Sequence, residues 1–277
     1  MAVRGLDKFK EYFGDFQENY VIIGGTACSI MLRHADMRPR ATKDIDMILV
    51  VERMTPEFGC RFWSFIHDGD YEQREKKRGE GKEPKPELFR FYRPRNEEYP
   101  YQIELLSKQP EVLTVPAGCH LTPIPVGEDV SSLSAILMDE EFYQFALAHS
   151  TMEEELHVVD TVGLICLKMK AYLNLSEQEP PAHSSDIRKH MSDVFKLMAS
   201  GYIAEPIELS EKMKRDAVAF VTKMESLMPN RWILVSHEST KKPPKSEAQT
   251  AEGCFFPIFV SPIRTLRGAF PGPEPPP

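Results

Sequence analysis

Two aspartates one residue apart, Asp44 and Asp46, open the run KDIDMILVV, and further upstream Gly24, Gly25 and Thr26 close the run NYVII. Alternate residues of a strand point to the same side, so Asp44 and Asp46 would present two carboxylates on one face with Cα atoms roughly 7 Å apart. Like charges at that spacing need a cation. Oxygen-only ligands suit Mg2+, which takes one or two carboxylates and completes its octahedron with water and substrate phosphates. Glycines let a backbone approach a phosphate closely, and the amides that open a helix behind them favour an anion. A strand, a tight turn, a helix and a return strand would bring that turn beside the aspartates, making one site for a triphosphate and its metal. Glu104, in YQIELLS, interrupts a third apolar run. A polar residue there is costly unless paired or bound to metal, which makes Glu104 a candidate third ligand in a two-metal arrangement.

Each piece also has an ordinary reading. Two glycines before a helix can be a plain turn, Asp-x-Asp can be a surface pair, and Glu104 can be salt-bridged to Arg90 or Arg93.

The elements that must position these residues are legible as periodicities. Leu6, Phe9, Tyr12 and Phe13 recur at helical spacing ahead of the β-rich NYVIIGG. Thr26 suits a helix N-cap, with Ala27, Ile30 and Met31 behind it and Pro39 beyond the helix end. KDIDMILVV is nearly continuous apolar after Asp46, as expected of a strand buried on both faces. PEFGCRFWSFIHD reads as a helix, and LFRFYRP and YQIELLS read as two further strands. EQREKKRGEGKEPKPE mixes acids and bases and reads as a solvated connection. From about residue 130 the pattern turns helical: EEFYQFALAHS, HVVDTVGLICLKMKAYLNLSE, SSDIRKHMSDVFKLMASG and PIELSEKMKRDAVAFVTKMESLM are successive helix candidates with few β signals. From about residue 237 the chain is polar and then Pro-rich, a loose tail in which CFFPIFVSPI could dock on the body.

At 277 residues and 42% hydrophobic, the chain can bury a sizeable core. No apolar run approaches the roughly 20 residues that span a bilayer, and the charged, amphipathic start is unlike a signal peptide, so the expected location is cytoplasmic, away from the membrane. Cys28, Cys60, Cys119, Cys166 and Cys254 are odd in number and far apart, so they read as reduced packing residues. The net charge of −8 excludes a surface that wraps nucleic acid nonspecifically, although a local basic cleft could hold a few phosphates.

GGTA followed by TKDIDMIL resembles the signature of the polymerase-β-like nucleotidyltransferase superfamily, in which a Gly-Gly or Gly-Ser turn precedes an Asp-x-Asp strand. With the later LICLKMKAYLNLSEQEPPAHSSDIRKHMSDVFKLM, the chain looks most like the AbiEii/AbiGii toxin-type enzymes and their uncharacterised bacterial relatives. The recognisable motifs cover roughly residues 18–52 and 160–200. In the later block Val162, Ile165, Cys166, Met169 and Leu173 form an apolar stripe, and ideal geometry places Lys170 nearer to it than Lys168. The family pattern instead matches Lys168 ahead of Ala171, which implies that Lys168 contacts the triphosphate, with Lys170 as its rival. Ile187, Met191, Val194 and Met198 make the next stripe, while Asp186, Lys189 and Asp193 share another face and could be an ion-pair ladder. The resemblance implies that Asp193 orients the lysine or serves as a base. His190 is open to a surface or a participating role.

Together these readings predict an α/β (α+β) chain. A nucleotidyltransferase-type domain over 1–130, with a short mixed sheet and flanking helices, would precede a helical domain over 131–236 and the tail over 237–277. The expected activity is transfer of a nucleoside monophosphate from an NTP to an acceptor hydroxyl with release of pyrophosphate. Asp44, Asp46 and Glu104 would hold Mg2+, with Glu104 also eligible as base. Gly24, Gly25 and Thr26 would bind phosphate. The toxin-type resemblance implies an RNA acceptor, such as a tRNA 3′ end, or a protein acceptor, with a cognate antitoxin as partner. Two other readings stand: an inactive nucleotide-sensing or interaction module on the same fold, and a metal-dependent phosphodiesterase.

Overall fold

The computed structural model of the chain describes residues 3–72, 88–106, 123–124, 139–178, 182–201 and 207–227. The charged connection after Glu72, the Pro-rich tail with CFFPIFVSPI, Cys119 and Cys254 lie outside the described residues. The chain forms two compact units, divided between Leu164 and Ile165, whereas the sequence pattern suggested a division near residue 130.

The first unit is α+β. Its strands are β1 (Tyr20–Ile23), β2 (Asp44–Leu49), β3 (Leu88–Tyr92), β4 (Gln102–Leu106), the short β5 (Pro123–Ile124), β6 (Ser150–Glu153) and β7 (Leu156–Val159). They form one mixed sheet in the order β5-β3-β4-β2-β1-β7-β6. β2 runs antiparallel to β1 and parallel to β4, and β3 is antiparallel to β4. The helices are α1 (Leu6–Phe13), α2 (Gly24–His34), α3 (Pro56–Asp68) and α4 (Glu140–Ala148), with α5 (Thr161–Glu177) starting here and continuing into the second unit. The second unit adds α6 (Ser184–Ala199) and α7 (Glu211–Leu227). Among the described residues, no helix is long and apolar enough to cross a membrane.

Strand alternation decides which face carries what. Register pairs Ile22 with Met47 and Met47 with Leu105, and these apolar residues share a face with Tyr20, Ile45, Leu49, Ile103 and Phe91. α1 and α3 cover that face with a packed aromatic layer. Phe9 and Phe13 of α1 meet Tyr20 at ring-centroid distances of 5.3 and 6.3 Å, and Phe62 of α3 meets Phe91 at 5.5 Å. α3 is well started: Pro56 occupies its first turn, and the Thr55 hydroxyl accepts the Phe58 amide hydrogen bond at 3.2 Å.

Two expectations are corrected here. LHVV belongs to a hairpin, β6–β7, and not to the helix that follows it. Its two-residue turn, Glu154 and Glu155, has both residues at positive φ (49° and 65°), the geometry of a type I′ connection. Glu154 is held by Arg33 at 3.0 Å and Lys10 at 3.4 Å, which offsets a conformation that glycine or asparagine usually supplies. The cysteines also divide, with Cys28 and Cys166 buried and Cys60 exposed.

α5 begins at a proper cap. Asp160 accepts the Gly163 amide hydrogen bond on Oδ1 at 2.8 Å, while Oδ2 lies 3.2 Å from His149 Nδ1. Partial burial disfavours the Asp160 carboxylate, but the hydrogen bonds from His149 and from the Gly163 and Val162 amides outweigh it and hold its pKa below the ordinary value. A depressed folded-state pKa contributes stability above the unfolded value of about 3.9, and that stability is lost as pH falls through the folded value. Asp160→Ala is therefore expected to cost about 1 kcal/mol at neutral pH. Urea denaturation from neutral to acid pH should show the gap to the native chain closing below about pH 4. A gap independent of pH would remove the carboxylate from the cap.

Candidate active site

The turn between β1 and α2 is built around two missing side chains. Gly24 has φ +70°, a left-handed conformation costly for any residue with a Cβ. A Cβ there would overlap Asp46 Oδ2, so the Asp46 carboxylate lies directly against the Gly24 Cα. A Cβ at Gly25 would lie 2.7 Å from Thr42 Oγ1 and 3.0 Å from Arg40 Nη2, so the segment leading into β2 passes across the same turn. Thr26 is buried but is not the N-cap. The helix begins at Gly24, Ile23 occupies the cap position without a side-chain bond, and the Thr26 hydroxyl donates to the Asp44 carbonyl at 2.6 Å. That bond fastens the first turn of α2 to the first residue of β2.

The carboxylates lie on the sheet face away from the aromatic layer. Asp44 and Asp46 are half-buried, and their register partners on β4 are Gln102 and Glu104. Glu104 is only 3% exposed, and its Oε1 accepts a hydrogen bond from Gln102 Nε2 at 2.7 Å. On β3, Arg90 stands opposite Glu104 in register. Glu104 is therefore in the same cross-strand row as Asp46. Among the described residues, no group of three or more His, Cys, Asp and Glu is disposed to hold a metal ion. Mg2+ needs no such group, because one or two carboxylates with water and substrate phosphates suffice, and the half-buried pair Asp44 and Asp46 fits that donor set.

The remaining sequence candidates belong to the second unit. Lys168 on α5 and Asp193 on α6 form a 2.7 Å ion pair in which each side chain is 1% exposed. Lys170, half-buried, pairs with Asp216 on α7 at 2.8 Å. The helical wheel is corrected here: Lys168, and not Lys170, lies inside, because Leu164, Leu167 and Ala171 on its side of α5 are buried as well. Asp186 and Lys189 form a part-buried pair of their own at 3.1 Å, whereas Asp193 is buried and paired with Lys168. His190 is buried, not a surface residue.

Comparison of the chain with protein-family models, with curated proteins and with solved structures finds no match. The site therefore has to be read from its own residues. Arg40, Thr42 and Gln102 are the parts that the sequence reading did not single out. The basic stretch RPRATK just ahead of Asp44 is the one signal that could have found the first two.

Two variants test the local physics. Gly24→Ala introduces both a left-handed non-glycine and an overlap with Asp46, so it should destabilise the fold by about 1–3 kcal/mol in chemical denaturation. A neutral result would mean that the turn relaxes freely and does not fix Asp46. Lys168→Met alone leaves a buried aspartate uncompensated and should cost about 3–5 kcal/mol, whereas Lys168→Met combined with Asp193→Leu should recover most of that loss. The four unfolding curves of this cycle measure the coupling directly. Additive losses would show that the two charges do not depend on each other.

Proposed function

We propose that the chain is a metal-dependent nucleotidyltransferase of the polymerase-β-like kind, moving a nucleoside monophosphate from an NTP to an acceptor hydroxyl on RNA or protein. The observation that carries this reading is the double engagement of Asp46. Its carboxylate lies against the Gly24 turn on one side and stands in register with Glu104 on the other. The GGTA and TKDIDMIL motifs, which resemble that superfamily, supply Gly24 and Asp46.

In this reading the acceptor oxygen forms a bond to the α-phosphorus, while the bond from that phosphorus to the bridging oxygen breaks and pyrophosphate leaves with the electron pair. The hydroxyl proton passes to a carboxylate of the cluster. Glu104 suits that task, since the Gln102 amide holds one of its oxygens in place. Mg2+ bound by Asp44 and Asp46 would neutralise phosphate charge and favour both the entering and the leaving oxygen. Gly24 and Gly25 let the Asp46, Thr42 and Arg40 side chains lie against the first turn of α2, whose amides would favour a phosphate.

Nucleotide binding tests the reading whatever the acceptor is. A triphosphate beside Asp44 and Asp46 adds like charge to like charge unless a cation intervenes. NTP and Mg2+ together should therefore raise the melting temperature, with a stabilisation of about 2.7 kcal/mol at roughly 100 Kd of nucleotide. Either alone should do much less, and Asp44→Ala with Asp46→Ala should remove the shift. An equal shift in the double variant would place the nucleotide elsewhere. Labelled NTPs incubated with total cellular RNA or protein would then identify the acceptor. Binding without any transfer would favour the inactive nucleotide-sensing module.

A further inference from the structure

We propose that His157 is a proton-operated clasp: it ties the β6–β7 hairpin to the segment leading into β1 while its ring carries both protons, and loosens that joint when one is lost. Three contacts carry the inference. His157 Nδ1 lies 2.9 Å from the Gln17 carbonyl oxygen, His157 Nε2 lies 2.8 Å from Ser150 Oγ, and Ser150 Oγ lies 2.7 Å from the Leu147 carbonyl oxygen. A carbonyl oxygen only accepts. Nδ1 must therefore supply the proton it shares with Gln17, and the single hydroxyl proton of Ser150 must point at Leu147. Toward His157 the serine then offers a lone pair, so Nε2 must carry a proton as well. All three bonds form together only on the imidazolium.

A neutral ring leaves one of the three unmade. Without the Nε2 proton, Ser150 must turn its hydroxyl to the ring and abandon the Leu147 carbonyl, which lies in the last turn of α4, where helix carbonyls need an outside partner. Without the Nδ1 proton, a ring lone pair faces the Gln17 carbonyl. Gln17 opens the short 3-10 helix Gln17–Asn19, which runs directly into β1, and its side-chain amide also donates to the Glu155 carbonyl at 2.9 Å. Charged groups on the surrounding elements have partners of their own. Glu18 pairs with Arg53 at 3.5 Å, Glu153 with His34 at 3.1 Å, Glu154 with Arg33 and Lys10, and His149, at the end of α4, with Asp160 at 3.2 Å. Burial holds the Tyr20 phenol on β1 well above the ordinary tyrosine range, and the exposed Glu155, two residues before His157, favours a charged ring. Among the described residues none of these groups bonds to the ring, so its protons answer to Gln17 and Ser150. The clasp therefore contributes stability at acid pH and loses it as pH rises through the range in which histidine titrates.

Hydrogen–deuterium exchange of the full chain, corrected for the intrinsic pH dependence of exchange, reads this joint. A lost hydrogen bond to a charged group corresponds to about a 10-fold change in an equilibrium. The β6 and β7 amides of the native chain should therefore open about 10-fold more at about pH 8 than at about pH 6, while those of α3 change little. Ser150→Ala should abolish the difference, because a neutral ring can then keep its Gln17 bond with no lone pair opposing Nε2. His157→Gln should abolish it too, and replacing the exposed His183 by Gln should leave it intact. If His157→Gln does not fold, Ser150→Ala decides. Hairpin protection that is the same at both pH values in the native chain overturns the proposal. So does a pH dependence that survives in Ser150→Ala, or one that α3 shares in full.

Discussion

The approach of Gly24 to the Asp46 carboxylate is the contact on which the site depends, and it is set by strand register. Ile23 pairs with Asp46, so the next residue along the chain must turn away directly beside that carboxylate. A residue with no Cβ, at φ +70°, can do this. The register is held from the opposite face, where Ile45, Met47 and Leu49 sit under the aromatic layer of α1 and α3. A slip of one residue would turn Asp44 and Asp46 into that layer and bring Ile45 and Met47 out. The cost of burying two carboxylates among phenylalanines thus enforces the same alignment that brings the acids to the glycine turn. The chemistry of one face is fixed by the hydrophobic packing of the other.

How much of this was legible in the sequence follows from where the constraint lies. α1, β1, β2, α3, β3 and β4 were readable because period and punctuation agree: apolar alternation bounded by Gly24, Pro56 or Pro94, with Thr55 and Pro56 starting a helix. The hairpin at 150–159 was not. Its turn uses Glu154 and Glu155 where Asn-Gly would have announced it, and one edge, STME, carries a single large apolar residue. The contacts that Glu154 makes, to Arg33 and Lys10, come from residues far away in sequence. Asp160 marked the true start of the following helix, but the apolar LHVV ahead of it read as continuous with TVGL.

The site divides in the same way. The places of Asp44, Asp46, Gly24 and Gly25 could be read from the sequence because regular structure fixes where alternate strand residues and a strand-to-helix turn must be. Arg40 and Thr42 lie in the irregular segment between α2 and β2, whose path no periodicity encodes. Gln102 opens β4, and strand alternation puts it on the same face as Glu104 two residues on, where its amide donates to the carboxylate. Lys168 shows the complementary failure. A helical wheel assumes that charge faces outward, and in α5 the rule gives way because Asp193 supplies a buried partner from another helix.

The charge distribution also determines how a substrate could be recognised. With a net charge of −8, the chain repels polyanions at long range, but at physiological salt that field is screened beyond about 8 Å. On the proposed reading, recognition of a phosphate chain would then have to come from contacts within the first unit. Two half-buried carboxylates, Asp44 and Asp46, stand beside the glycine turn, against which the Arg40 guanidinium and the Thr42 hydroxyl lie. A nucleotide whose phosphates already carry a metal presents nearly cancelled charge to that cluster and approaches with little electrostatic penalty. A bare polyphosphate meets the acids first. On the proposed reading, discrimination between a metal-loaded and a bare ligand would follow from setting the acids against a turn whose left-handed residue is glycine.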